Sequence, residues 1–132
     1  MFDNVITMSY FFTMKTNFII SFDALGKNDV ALVGGKNASL GEMANNLKSK
    51  GIHVPNGFAT TASAFQYFLQ YNKLNQPLND LFLRLDTKDF SNLSQIGEQA
   101  RMLIRNAEIP SDFKAEIISA YKELCGNEGR EV

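Results

Sequence analysis

Val33-Gly34-Gly35-Lys36-Asn37-Ala38-Ser39-Leu40-Gly41 divides the sequence into two regimes. Upstream, Phe18-Ile19-Ile20-Ser21-Phe22 is short, aromatic and β-branched, which is strand composition. Ala31-Leu32-Val33 is a second short apolar run, ended by Gly34-Gly35. Downstream the period turns helical: Leu40, Met43, Ala44 and Leu47 fall at i, i+3, i+4, i+7. Ser39 and Glu42 fit a capping box, in which each side chain satisfies the other residue's free N–H. Gly51 supplies a left-handed stop, so the pattern predicts a helix over residues 37–50.

The junction itself carries the best local chemistry in the chain. Two glycines admit close backbone approach, and a helix start offers free N–H groups and the positive end of its dipole to an anion. Lys36 adds a mobile point charge suited to phosphate oxygens. The spacing is not that of a Walker A loop, because Val30 and Asn37 stand where glycine and Ser or Thr are required. On these residues alone, a tight turn with a solvated lysine stays open beside the anion site.

Further along, Val54-Pro55-Asn56-Gly57 is a turn and Phe58-Ala59-Thr60-Thr61 a strand. Residues 62–71 follow as a helix burying Phe65, Phe68 and Leu69. Leu78, Leu81, Phe82 and Leu85 repeat the helical stripe, with Pro77 in the first turn. Leu93, Ile96, Ala100, Leu103, Ile104 and Ala107 line a longer helix that Ser91 is placed to cap. Phe113, Ile117, Ala120, Tyr121 and Leu124 line a last helix ending at Gly126. A few short strands followed by a run of helices make the fold class α+β.

Composition sets the outer limits. The chain has 132 residues, 13 basic and 14 acidic, with 45% apolar and 20% charged side chains. That is the size and make-up of one globular domain rather than a disordered chain. Near neutrality removes the electrostatic case for nucleic acid. Cys125 and His53, each the only one of its type, can build neither a disulfide nor a structural zinc site. No apolar run reaches the ~20 residues of a membrane span. Residues 1–16, rich in Phe, Met and Tyr, lack the basic start and cleavage site of a secretory leader. They read as a loosely attached extension of a cytoplasmic protein, with Met8 and Met14 as alternative starts. The polar, glycine-bearing stretch over residues 126–132 is either a frayed tail or a connector cut inside a longer protein.

Two blocks then carry a family resemblance. Leu32-Val33-Gly34-Gly35-Lys36-Asn37-Ala38-Ser39-Leu40-Gly41-Glu42-Met43 and Gly51-Ile52-His53-Val54-Pro55-Asn56-Gly57-Phe58-Ala59-Thr60-Thr61-Ala62, in register, resemble the N-terminal nucleotide-binding region of the phosphoenolpyruvate synthase (pyruvate, water dikinase) family. The likeness continues more weakly to residue 132. It implies an ATP-grasp-like lobe and a reaction in which ATP, with Mg2+, phosphorylates a histidine on another domain. That phosphohistidine then converts pyruvate to phosphoenolpyruvate, with AMP and phosphate released. By resemblance Lys36 contacts ATP phosphates, and Gly34 and Gly35 shape the loop. The family's Arg-Ser-Ser segment, metal carboxylates and phosphorylated histidine would all follow Val132. The expectation is therefore an N-terminal portion of the ATP-binding domain over residues 17–132, holding no catalytic residue or metal ligand and inactive alone. Its lobe interface would be apolar and open to self-association. A stand-alone helical interaction module is the rival, and a related dikinase or antibiotic phosphotransferase would change only the acceptor.

The remaining chemistry-bearing residues are read as structural. His53 is placed in a partly exposed loop and Cys125 at a helix end. Asp86, Asp89 and Asp112 flank helices as caps, and Arg101 and Arg105 lie one turn apart on a solvated face.

Overall fold

The computed structural model describes residues 17–128. The expectations for residues 1–16 and for the end of the tail lie outside them. The chain runs β1 (Ile19–Ser21), α1 (Val30–Leu47), β2 (Phe58–Thr60), α2 (Ala62–Tyr71), α3 (Asn75–Phe82), α4 (Leu93–Arg105) and α5 (Ser111–Glu128). Single 3-10 turns cover Phe22–Ala24, Lys27–Asp29 and Lys48–Lys50. The result is mostly helical with one small sheet, an α+β unit.

β1 and β2 pair antiparallel, with Ile20 opposite Ala59 and Ser21 opposite Phe58. Bonds from Phe22 N–H to the Gly57 carbonyl (2.9 Å) and from Thr61 N–H to the Phe18 carbonyl (3.0 Å) extend the ladder at both ends. The two strand segments read from sequence are thus the two strands of the sheet. Thr61 leaves the second one to cap α2, its hydroxyl accepting from Ala64 N–H (3.2 Å) and donating to the Asn17 carbonyl (3.0 Å).

Apolar burial falls into three clusters. Phe68, Leu69, Leu74, Leu78, Leu81, Ile96 and Ala100 join α2, α3 and α4. Leu25, Val33, Ala38 and Ala59 join α1 to the sheet. Phe18, Ala64 and Phe113 fasten β1, α2 and α5, with the Phe18 ring stacked on Tyr67 at 5.0 Å and tilted against Phe113 at 5.3 Å.

Several expected details are corrected. The helix predicted from residue 37 begins at Val30, so the apolar run Ala31-Leu32-Val33 forms the first turn of α1. Phe65 is 46% exposed, because α2 turns Ala64, Phe68 and Leu69 inward instead. α3 stops at Phe82, where bonds from Arg84 N–H to Leu81 and from Leu85 N–H to Phe82 tighten the exit. Asn92, not Ser91, precedes α4, and its side chain closes the preceding loop by accepting from Asp86 N–H (2.9 Å) and donating to the Arg84 carbonyl (2.8 Å). α5 continues through Gly126 to Glu128, since a glycine allows a helix to stop but costs only about 1 kcal/mol within one. Gly51 does stop its helix. It is left-handed (φ 75°), and N–H bonds from Ile52 to Leu47 and from Gly51 to Lys48 complete a Schellman closure.

Candidate nucleotide-facing loop on helix α1

α1 is one helix with a sharp bend. Gly34 lies at φ 80°, ψ 159°, a conformation that residues with a Cβ rarely adopt, and every residue on either side is helical. Val33 and Ala38 are both buried in the same cluster, at 7% and 1% exposure, while Gly34, Gly35 and Lys36 between them are exposed. The bend therefore lifts three residues off the protein on two buried anchors. Helical geometry resumes at Gly35, which puts Lys36 in the first turn after the bend.

A Cβ added at Gly34 or Gly35 meets nothing within 4 Å. Gly34 is thus required by its backbone angle. Gly35 has no such reason within this chain, and its bareness leaves open space over the backbone. Among the described residues, the ion pair within 4 Å is Arg101–Glu98, so Lys36 has no carboxylate partner. A lysine in a first helical turn also opposes the helix dipole. Its position stabilises neither the helix nor a neighbour, which leaves the ammonium available to an external anion.

The support beneath the loop differs from the predicted one. The box between Ser39 and Glu42 does not form, because the helix already runs through Ser39. Glu42 instead accepts from Lys27 N–H (3.1 Å) and from the Asn46 amide (2.8 Å). The Asn45 amide donates to the Leu25 carbonyl (2.8 Å). Gly41 faces the same point: a Cβ there would stand 2.5 Å from Leu25 Cβ and 2.7 Å from its carbonyl oxygen. The face of α1 turned inward is therefore Ala38 and Gly41, while Met43 from the predicted stripe is 39% exposed. Small residues win this face because they let a backbone segment lie directly against the helix. Asn37, half-buried, donates its side-chain amide to the Val33 carbonyl at 3.0 Å, across the bend.

Other singled-out residues lie elsewhere. His53 is exposed in the loop before β2. Cys125 is half-buried on α5, and its hydrogen bond raises the pKa of Tyr121. Asp86 accepts from Lys88 N–H (2.9 Å). Asp89 accepts from Ser91 N–H (2.9 Å), a bond that lowers its pKa. Asp112 takes the Tyr67 hydroxyl at 2.9 Å and Phe113 N–H at 2.8 Å, and the first of these bonds raises the tyrosine pKa. Each carboxylate thus answers a local donor. Arg101 is bound to Glu98 (2.6 Å), both about half exposed, on the solvent side of α4. Among the described residues no three His, Cys, Asp or Glu side chains converge on a metal position, and no helix is long and apolar enough to cross a membrane. Two concavities, of about 610 Å³ between α3 and α4 and about 570 Å³ between α1, β1 and α5, are separate from the Gly34–Lys36 loop.

Residues 30–132 match the family described as the pyruvate phosphate dikinase AMP/ATP-binding domain, and the chain belongs to that family. Curated proteins similar to this chain include phosphoenolpyruvate synthases. The protein of that name from Synechocystis sp. is 46% identical over 118 residues, which is 89% of this chain and 14% of the relative. Those of Neisseria meningitidis serogroup B and Escherichia coli are 40% and 42% identical, over 88% and 83% of this chain. The chain spans 14–15% of the length of these curated relatives. The resemblance read from the two glycine-bearing blocks is the one these comparisons find.

Proposed function

We propose that this chain supplies one phosphate-contacting loop of the ATP site of a phosphoenolpyruvate synthase. Lys36 places its ammonium on ATP phosphates while Gly34 and Gly35 let the backbone come close beneath them. The observation that carries this is the exposed, unpaired Lys36 in the first helical turn after the Gly34 bend, beside open space over Gly35. ATP supplies the phosphoryl group, and this chain's residues bind and orient it. The lobe is ATP-grasp-like and extends over residues 17–132. The parent reaction takes ATP, pyruvate and water to phosphoenolpyruvate, AMP and phosphate through a phosphohistidine, in the cytoplasm and on the gluconeogenic side of pyruvate use. The Mg2+ that accompanies ATP takes its protein ligands, on this reading, from residues after Val132.

The chain alone turns over no pyruvate, because phosphoryl transfer rests on a complete set of positioned charges. Pyruvate-dependent AMP formation by the purified chain, above a buffer control, would overturn that. In an enzyme carrying this chain as its N-terminal region, Lys36→Ala lowers histidine labelling by ATP. A charge-assisted hydrogen bond worth about 1.5–3 kcal/mol corresponds to roughly 10- to 100-fold. Unchanged labelling removes Lys36 from the site.

Exposed Phe82, Leu83, Phe90 and Leu93, with Leu83 at 77%, favour one addition. Apolar side chains left uncovered in this way promote self-association of the chain, which sedimentation across a concentration series reads directly.

A further inference from the structure

We infer that Asn37 is a positioning residue for Lys36, holding the Gly34–Lys36 loop in the shape that presents the ammonium. The inference rests on the ATP role proposed for Lys36 and deepens it. Gly34 breaks the helical geometry that would bring residue 37 onto the carbonyl of residue 33. The Asn37 side-chain amide reaches that carbonyl, with Nδ2 3.0 Å from Val33 O. The bond closes a ring around the three exposed residues, from a buried Val33 on one side to a residue adjoining the buried Ala38 on the other. Without it the loop is held only by its two anchors, and a glycine pair has little torsional stiffness of its own.

The chemistry at residue 37 is specific. The bond needs a donor of short reach, because a carbonyl only accepts. Asn meets this, an ionised Asp does not, and Ser or Thr can reach back to a carbonyl one turn earlier. Neighbouring Ser39 is exposed and makes no bond to the bend among the described residues. Asn37 therefore acts through the loop and does not itself need to touch nucleotide.

The test has two arms. In the isotopically labelled full chain, without nucleotide, Asn37→Ala and Asn37→Asp lower the backbone order parameters of Gly34, Gly35 and Lys36 from about 0.85 towards about 0.6. α2 to α4 stay unchanged, and Asn37→Thr restores the loop. Unchanged order parameters in Asn37→Ala overturn the inference whatever Lys36 does. In an enzyme carrying the chain, Asn37→Ala raises the KM for ATP about fivefold, the loss of roughly one hydrogen bond, with kcat little changed, and Asn37→Thr recovers it. If Lys36→Ala impairs ATP use and Asn37→Ala does not, the positioning role is wrong. If Lys36→Ala has no effect, the ATP role beneath it is wrong, and the inference falls with it while the order parameters still report on the bond itself.

Discussion

Gly41→Ala is the most direct test of how α1 is seated. The added methyl would lie 2.5 Å from Leu25 Cβ, 2.7 Å from its carbonyl oxygen and 2.8 Å from its carbonyl carbon. Two of those atoms are backbone, so no rotamer change relieves the clash, and either Leu25 or the helix must move. Overpacking of this kind costs about 1–3 kcal/mol. Movement also lengthens the bonds from Asn45 to the Leu25 carbonyl and from Lys27 N–H to Glu42, each worth about 0.5–1.5 kcal/mol. Alanine returns about 1 kcal/mol over glycine through helix propensity. A net loss of about 2 kcal/mol follows, or roughly 8 °C in Tm for a chain of this size. The control is Gly35→Ala, also helical, where the methyl meets nothing within 4 Å. Urea unfolding of both variants beside the parent chain measures the difference. If Gly41→Ala is as stable as Gly35→Ala, the close contact between α1 and Leu25 is wrong, and with it the account of how the loop is anchored.

Gly34→Ala forces a side chain onto φ 80° and is expected to cost about 1–3 kcal/mol in urea unfolding. Gly35→Ala should leave stability equal or slightly raised while lowering ATP use in the enzyme, because its methyl occupies the space proposed for phosphate. Thr61→Ala removes both the cap on Ala64 N–H and the bond to Asn17. It should cost about 1–2 kcal/mol by thermal melting, with Thr61→Ser retaining most of it. Three groups give stability a pH dependence. Hydrogen bonds from Ser91 to Asp89, and from Arg101 to Glu98, hold both carboxyls below their ordinary 3.8 and 4.5. Their contribution is complete above those values and disappears as pH falls through the lowered ones. Tyr67 is opposite in sense: Asp112 raises it above 10.0, so its contribution is complete below 10.0 and is lost as pH rises beyond the raised value. Asp89→Asn should flatten the acid limb of stability against pH, and Tyr67→Phe the alkaline limb.

What was legible in the sequence follows from which forces act locally. The strands over residues 18–22 and 58–61 are bounded by turn residues and β-branched runs, and both are present. Gly51 closes α1's trailing turn because a left-handed stop is a property of a few consecutive residues. The inward face of α1 was misjudged. Leu40, Met43, Ala44 and Leu47 carry the periodic signal, whereas the buried contact uses Ala38 and Gly41 against Leu25. That contact depends on a segment some sixteen residues away lying across the helix, and hydrophobic periodicity records how apolar a face is rather than how closely a backbone can approach it. The Ser39–Glu42 box failed for a related reason. The helix begins upstream of Ser39, which leaves no free helix start for the box, and Glu42 instead accepts from Lys27 N–H, a partner no local pattern announces. At the loop, the Gly-Gly-Lys pattern coincides with the bend in α1, but the role proposed for Asn37 needed the bend to be seen.

The costs in α1 are not scattered along it. Gly34 sits in a conformation closed to other residues, Gly35 lacks a packing reason, and Lys36 opposes the helix dipole, all within three consecutive residues. The devices that offset them surround the same three: the Asn37 bond, the buried Val33 and Ala38, and the contacts of Gly41, Glu42 and Asn45 with residues 25–27. A turn needed only to change direction would carry the glycines without an unpaired cation, and a solvated lysine would need no such anchoring. Local rules broken together and supported together are the mark of a position kept for something outside the fold. In a chain of the AMP/ATP-binding domain family, an exposed cation over bare backbone is what supports the phosphate contact proposed for Lys36.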